Sequence, residues 1–406
     1  MKQFAWMKKQ KTLDHATDSV QNQYYENVSA GLGILQVILY FTLFAFVILS
    51  FVGNTNLITY RNFYYFFKDL DASAESIDVF KSDSMTYPTD KTQYFTLYRG
   101  GLAVIGDHSV SAFTETGRQT VSETIQYRNP MAEGRGRYLM VYEMGGTQYS
   151  LYNSYTQLYA DETDYPINGV AVSDSGVYAI LSSSESYSSV VSLYNDNFAL
   201  INRYNKNSFV TDVAIDEKGK LVALLSAEPK GGTFETSLEL YVPGETEAKQ
   251  KLSLRNGMAY SCSFTSSGTL AVLFSDSIVF VSSDGKILNE FDFQGETPLL
   301  TDVGDDGAAI MLRRSSISAK NHIIVFDKNG KTLYNKDVDV QVDAFSRFGN
   351  ALFLMTDSEI QRILLDSGEI STVQHQADPR CILAVDENEA LICSPQKAEY
   401  IKFQTS

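Results

Sequence analysis

The sequence predicts an all-β chain, an eight-bladed β-propeller with seven blades as the alternative count, preceded by one membrane-spanning helix. Three observations predict it. A turn residue recurs every 36 to 49 positions along most of the chain, the period of a four-stranded propeller blade. Between the turns lie short alternating or apolar runs with no long helical pattern. Near the start, Ile34 to Val52 is a run of 19 residues without a charge. The 25 Tyr and 24 Phe favour strands, and 44% apolar against 20% charged residues excludes general disorder.

In the apolar run, ILQVILYFTLFAFVILSFV, 14 of 19 residues are Ile, Leu, Val or Phe, which favours bilayer insertion by roughly 4–8 kcal/mol. Extended to Gly31 and Gly53 it is long enough to cross a bilayer core with some tilt. Gln36, Thr42 and Ser50 are expected to bond within the helix or sit near its ends. A cleaved signal peptide is the alternative, but some thirty residues precede the run and no small-x-small site stands out after Ser50. Lys2, Lys8, Lys9 and Lys11 lie before the run, with only Arg61 and Lys68 close behind it, so the N-terminus is expected in the cytoplasm. The segment Tyr60 to Phe67 reads as an interfacial aromatic belt or, equally, as a first buried strand. The expected organisation is therefore a cytoplasmic tail (1–30), a transmembrane helix (31–53), a juxtamembrane linker (54–75) and an extracytoplasmic propeller (76–406).

The blade repeat is carried by two families of turns. Gly100, Gly136, Gly176, Gly219, Gly268, Gly307, Gly349 and Asn388 each precede a strongly apolar run and are expected to join the first and second strands of eight blades. Segments such as GVAVSDSGVYAIL (169–181) and SCSFTSSGTLAVLF (261–274) show the pattern. Gly117, Gly244, Gly285, Gly330 and Gly368 are expected to join third and fourth strands. Two blades replace that glycine with Asn153-Ser154 and Asn195-Asp196, residues that tolerate a left-handed conformation. The last blade ends after a third strand over 399–403. A lone candidate upstream, Ser76 to Lys81, is expected to supply its fourth strand and close the ring, leaving only short protected edges.

These repeats resemble WD-repeat-like and quinoprotein-like propellers in strand order, turn placement and period. The signature residues differ: the one tryptophan, Trp6, lies in the tail, and Leu288 and Leu333 stand where a quinoprotein blade carries tryptophan after its Gly-Lys turn. The whole plan is similar to a single-pass, membrane-anchored propeller family of unknown function from Gram-positive anaerobic bacteria. That resemblance implies the architecture and brings no activity.

The net charge of −16 is not spread evenly. Residues 1–30 carry four lysines against three acids and residues 31–53 carry no charge, so nearly all the negative charge lies in the propeller. Such a domain repels nucleic acid. Only Cys262, Cys381 and Cys393 occur, which is neither a disulfide framework nor a zinc motif. Cys381 and Cys393 flank a turn symmetrically and are expected to face each other as two buried thiols.

His15, His108, His322 and His375 have no metal-binding spacing; His15 is expected on the cytoplasmic side, and the other three read as loop or strand-surface histidines. The carboxylate runs Asp161–Asp164, Asp302–Asp306 and Asp337–Asp343 suggest hard-cation ligands but match no calcium loop, and Asp305-Asp306-Gly307 is explained as a turn. Gly134 to Arg137 lacks the strand-to-helix setting of a phosphate cradle, so its arginines are expected to decorate a turn. Ser182 to Ser189 reads as a polar blade edge. No catalytic, cofactor or metal residue is assigned and no cofactor is expected. The reading is a non-enzymatic, membrane-tethered module that touches the bilayer through residues 31–53 and binds a cell-envelope protein or an unidentified ligand. The alternatives are a propeller enzyme or a quinone-cofactor or ion-binding protein, and a transmembrane sensor that signals through the tail.

Overall fold

The computed structural model describes residues 28–30, 32–45, 84–98, 101–153, 156–313, 321–375 and 378–404. The chain divides into two units, Met1–Phe66 and Phe67–Ser406. In the first, a helix runs from Val28 to Ala45, about 27 Å at 1.5 Å per residue. It is long and apolar enough to cross a membrane. Thr42 Oγ1 donates to the Ile38 carbonyl at 2.9 Å and Gln36 Nε2 to the Tyr40 hydroxyl at 3.4 Å, so these polar groups are satisfied inside the helix. Ser50, the aromatic stretch 60–67 and the strand candidate 76–81 fall outside the described residues.

The second unit is eight four-stranded antiparallel sheets. The inner strands are Gln93–Tyr98, Pro130–Arg135, Ile167–Val172, Phe209–Ile215, Ala259–Phe264, Thr297–Gly304, Ala344–Phe348 and Cys381–Ala384. Each touches the inner strand of the next blade, and the last touches the first, so the sheets form a closed ring. Second strands are almost wholly buried, for example Leu270–Phe274 and Ala351–Met355, whereas outer strands alternate with solvent. The turn repeat holds at Gly136, Gly176, Gly219, Gly268, Gly307 and Gly349, and in the second family at Gly117, Gly244, Gly285, Gly330 and Gly368, which all have positive φ, a conformation that costs other residues about 1–2 kcal/mol; Gly100 and Ser154 lie outside the described residues.

Each of eight apolar clusters lies between two neighbouring blades, which is where the core sits. Outside these cores, a polar contact also ties blade three to blade four: Lys206 of one reaches Glu239 and Tyr241 of the other. Burial pushes the Glu239 carboxyl up, but the ammoniums of Lys206 and Lys251 and the Tyr241 hydroxyl outweigh it and hold the group at about 2.

Two expectations need correction. The ring is closed by an N-terminal strand, but it is Ser84–Thr86, whose Met85 lies opposite Ala398 of the third strand Lys397–Lys402. In blade three the left-handed residue is Phe198 (φ 63°), not Asn195 or Asp196. Its N–H bonds to the Asn195 carbonyl as the turn glycines' do in other blades, and its ring stacks on Tyr159 of blade two with centroids 4.8 Å apart. Leu288 and Leu333, which stand where a quinoprotein blade carries tryptophan, are nearly half exposed. Cys381 and Cys393 do lie directly opposite each other as free thiols, but only Cys393 is buried, Cys381 being partly exposed.

Met85 is 1% exposed and packs in the cluster that joins the last blade to the first, so Met85→Ala should cost about 2–5 kcal/mol in a denaturant titration. At Phe198, Ala and Gly both lose the ring stack but only Gly relieves the backbone. Phe198→Gly should therefore melt as the more stable of the two variants by about 1–2 kcal/mol; equal stabilities would refute the strain.

Candidate functional site

Because all inner strands run the same way around a ring, their C-terminal turns meet at one mouth of the central channel. Channel-facing side chains on these strands tie successive blades together. Glu133 Oε1 accepts from the Val172 N–H at 3.3 Å, and Asp212 Oδ2 from the Cys262 N–H at 2.8 Å. Asp302 Oδ2 accepts from the Arg347 N–H at 2.7 Å, and Ser346 Oγ from the Ala384 N–H at 3.1 Å. These bonds link blades two to three, four to five, six to seven and seven to eight.

The carboxyls keep some surface toward the channel, yet protein encloses them closely enough to disfavour charge. Burial raises Glu133 to about 8, with the Asp212 carboxylate adding to the shift. Burial likewise raises Asp212 to about 6 and raises Asp302. Enclosure thus favours the protonated form of Glu133 more strongly than that of Asp212. Such a split is what acid–base chemistry uses, but here each carboxyl is committed to a backbone N–H of the next blade, which gives it a part in holding the ring.

At the mouth, Arg135 does more than decorate a turn, contrary to expectation. Its side chain is 16% exposed, its Nη2 lies 2.5 Å from Asp305 Oδ1 and its Nε lies 3.6 Å from Asp174 Oδ1. Asp305 belongs to blade six and Arg135 to blade two, opposite positions in a ring of eight, so this ion pair spans the opening. Gly349 N–H donates to Asp306 Oδ2 at 2.7 Å and Asn350 N–H to Glu387 Oε1 at 3.0 Å, which stitches the turns of blades six, seven and eight. Sequence reasoning missed this set because the partners are separated by whole blades; a lone Arg-Gly-Arg in a turn carries no mark of a carboxylate 170 residues away.

The opposite face, where first and third strands begin, is different. Phe209, Phe234, Met258 and Tyr260 are 40–58% exposed there. Phe209 stands opposite Ala227, which stands opposite Thr236, two residues from Phe234, so both rings lie on the side of blade four that faces blade five. Thr236 Oγ1 donates to the Gly257 carbonyl at 2.8 Å, and the Gly257 N–H donates to the Phe234 carbonyl at 2.7 Å. These bonds bring Met258 to the same seam. Beside it, the hairpin of Val222–Lys230 and Thr233–Tyr241 carries nine residues in each strand, longer than the second and third strands of the other blades.

The His108 side chain is exposed as expected, but that of His322 is only 13% exposed because both ring nitrogens are held by neighbouring side chains. His322 Nδ1 is 3.0 Å from Glu296 and its Nε2 2.6 Å from Asn335, in a groove of about 460 Å³ between blades five and six. His375 Nε2 meets the Thr356 carbonyl at 2.9 Å. His108 lies beside Asp90 and Asp107. His15 is outside the described residues. Of the acidic runs, Asp161 accepts from the Tyr159 hydroxyl, and Asp337 stands opposite His322 in its sheet.

Raised carboxyl values give a stability prediction with a definite sign. A group bound more tightly to its proton in the folded state stabilises fully below its unfolded value and loses that contribution as pH rises through its folded value. For Glu133 and Asp212 the window runs from about pH 4 to 8, so the melting temperature should fall between pH 5 and 8.5. Glu133→Gln should remove much of the fall. Glu239, which is lowered, contributes above its ordinary value and loses that only below about pH 4.5, outside the window.

Comparison with known proteins agrees with the ring. The structure is similar to the C-terminal WD40 domain of Sif2 (15% identity, TM-score 0.50, covering 79% of this chain and 99% of that one). It also matches the β-propeller domain of Cps50 (Swd1) from Myceliophteria thermophila (11% identity, TM-score 0.46, 79% and 100% covered). At 15% identity the likeness to Sif2 shows the fold alone. Among curated protein sequences none matches the chain. The family model that fits spans residues 73–403, the ring with its closing strand, and the chain therefore belongs to the family of unknown function DUF5711.

Proposed function

We propose that the chain is a membrane-tethered scaffold whose propeller holds a cell-envelope protein. In this reading residues 31–53 cross the bilayer, residues 1–30 stay in the cytoplasm, residues 54–75 link, and residues 76–406 stand outside. The exposed patch of Phe209, Phe234, Met258 and Tyr260 at the blade four–five seam carries the reading. Aromatic and methionine side chains of this kind are the usual anchors of protein interfaces, and an apolar cluster left on a rigid rim marks a contact surface. The acidic charge of the domain favours a partner that surrounds its apolar anchor with basic residues. WD40-type likeness supports a ring used as a platform, and the scaffold role involves no chemical step.

The test is affinity capture of the tagged full-length protein from detergent-solubilised native membranes, beside a Phe234→Asp/Met258→Asp variant and a helix-only control. A protein held by the wild type, reduced at least about tenfold with the double variant and missing from the control is the expected result. It counts only if the variant melts within a few degrees of the wild type. Equal capture by wild type and variant would remove the patch from the reading.

A further inference from the structure

We propose that Asp90, Asp107 and His108 form a binding site for one divalent first-row transition-metal cation, and that the ion staples the closing segment of the ring to blade one. Residues 87–92 connect the closing strand Ser84–Thr86 to the inner strand Gln93–Tyr98, and Asp90 lies in that connection. Asp107 and His108 form the turn between the second and third strands of blade one, Gly101–Gly106 and Ser109–Phe113. One donor atom from each of the three residues lies within 4.8 Å of the other two. His108 Nδ1 is 3.1 Å from Asp107 Oδ2 and 3.6 Å from Asp90 Oδ1. Donors at those separations subtend about 95° and 118° at an ion about 2.1 Å from each, which suits tetrahedral or five-coordinate geometry.

The carboxylates are arranged as ligands are. The Asp90 side chain is 8% exposed, and its Oδ2 accepts from the Ser109 hydroxyl at 2.7 Å. Its Oδ1 has no hydrogen bond among the described residues and points at the cluster. The Asp107 carboxylate is oriented in the same manner, with Oδ1 facing the Thr92 N–H at 3.4 Å and Oδ2 turned to His108. One oxygen held by the protein and the other aimed inward is the outer-shell order of a metal site. Gly106 makes the room: a Cβ there would lie 1.7 Å from Asp90 Oδ2. The turn backbone is held in turn, since the Asp107 and His108 carbonyls accept from the Tyr127 and Ile125 N–H groups at 3.0 and 3.1 Å. An imidazole nitrogen with two carboxylate oxygens suits zinc or manganese better than calcium, which takes oxygen ligands throughout. His108 is 69% exposed, so an ion can enter from solvent and keep water in its remaining positions.

The experiment is calorimetric titration of the chelator-treated full-length protein in detergent with zinc chloride, with melting curves and backbone hydrogen exchange measured with and without metal. One zinc per chain, a rise of several degrees in melting temperature and slower exchange at Thr92 and the rest of the closing connection are expected. His108→Ala and Asp107→Asn should each weaken binding about tenfold or more, with metal-free melting within about 2 °C of the wild type, because the His108 side chain is exposed and an asparagine keeps the oxygen that faces the Thr92 N–H. Absence of stoichiometric binding, unchanged affinity in both variants, or zinc binding without slower exchange in the connection would overturn the proposal. So would a metal-free loss in His108→Ala as large as the gain from zinc, which would leave the cluster an ion pair only.

Discussion

Everything in the ring depends on one short antiparallel pairing, Ser84, Met85 and Thr86 against Glu399, Ala398 and Lys397. The last blade supplies only three strands of its own, and the fourth comes from the other end of the domain. A blade of three strands would bury its second strand poorly on one side and leave the third as an open edge. Bringing the two ends together across some 300 residues costs loop entropy, but that cost grows only logarithmically with length. The closing contacts are correspondingly concentrated. Met85 and Tyr87 enter the cluster that joins the last blade to the first, and the Tyr87 hydroxyl donates to the Ser394 carbonyl at 2.7 Å.

A ring also changes what each interface contributes. In an open repeat array every unit leans on its neighbours and the ends fray; here eight apolar clusters bridge eight pairs of blades and none is terminal. Polar clamps reinforce the same seams. The guanidinium of Arg362 in blade seven, 1% exposed, reaches Asn388 Oδ1 at 2.5 Å and lies 5.3 Å from the Phe403 ring. It fastens the end of the chain to the preceding blade. Asn388, which the repeat pattern presents as one more turn residue, is thus an acceptor for a buried cation and has no left-handed backbone. The seam at blade eight is held on both flanks, by Arg362 on one side and by the Asp90 connection on the other.

Much of this was legible because the turn glycines obey a backbone rule that does not depend on tertiary context: a tight turn needs positive φ, and glycine supplies it at Gly136, Gly176 or Gly285 wherever the chain goes next. Strand order and blade number follow from counting such positions. The closing strand was misplaced for the opposite reason. Ser-Met-Thr is too short to show a period, whereas Ile77 and Val79 alternate as a strand should, so pattern favoured the wrong segment. Phe198 was hidden because stacking on Tyr159 of another blade compensates for its strained backbone, and no local rule anticipates that. Arg135 and Asp305, or Asp90 and His108, carry no spacing signature at all. Their meeting is a product of ring geometry.

The channel carboxyls show how the same geometry sets chemistry. An inner strand has one neighbour in its own sheet and, on its other side, the inner strands of adjacent blades across a narrow water-accessible space. Backbone N–H groups there need acceptors, and a side chain from the preceding blade is in reach. Serine meets the need without charge at Ser346, while Glu133, Asp212 and Asp302 meet it with carboxyls whose ionisation the enclosure opposes. Using acids therefore couples ring cohesion to protonation: the proton on Glu133 removes its repulsion with Asp212 and leaves its carbonyl oxygen able to accept from Val172. Two functions of the inner strands, holding neighbours together and lining a channel, are met by the same atoms. The apolar patch on the far face is free of that constraint, since Phe234 and Met258 stay nearly half exposed at the rim.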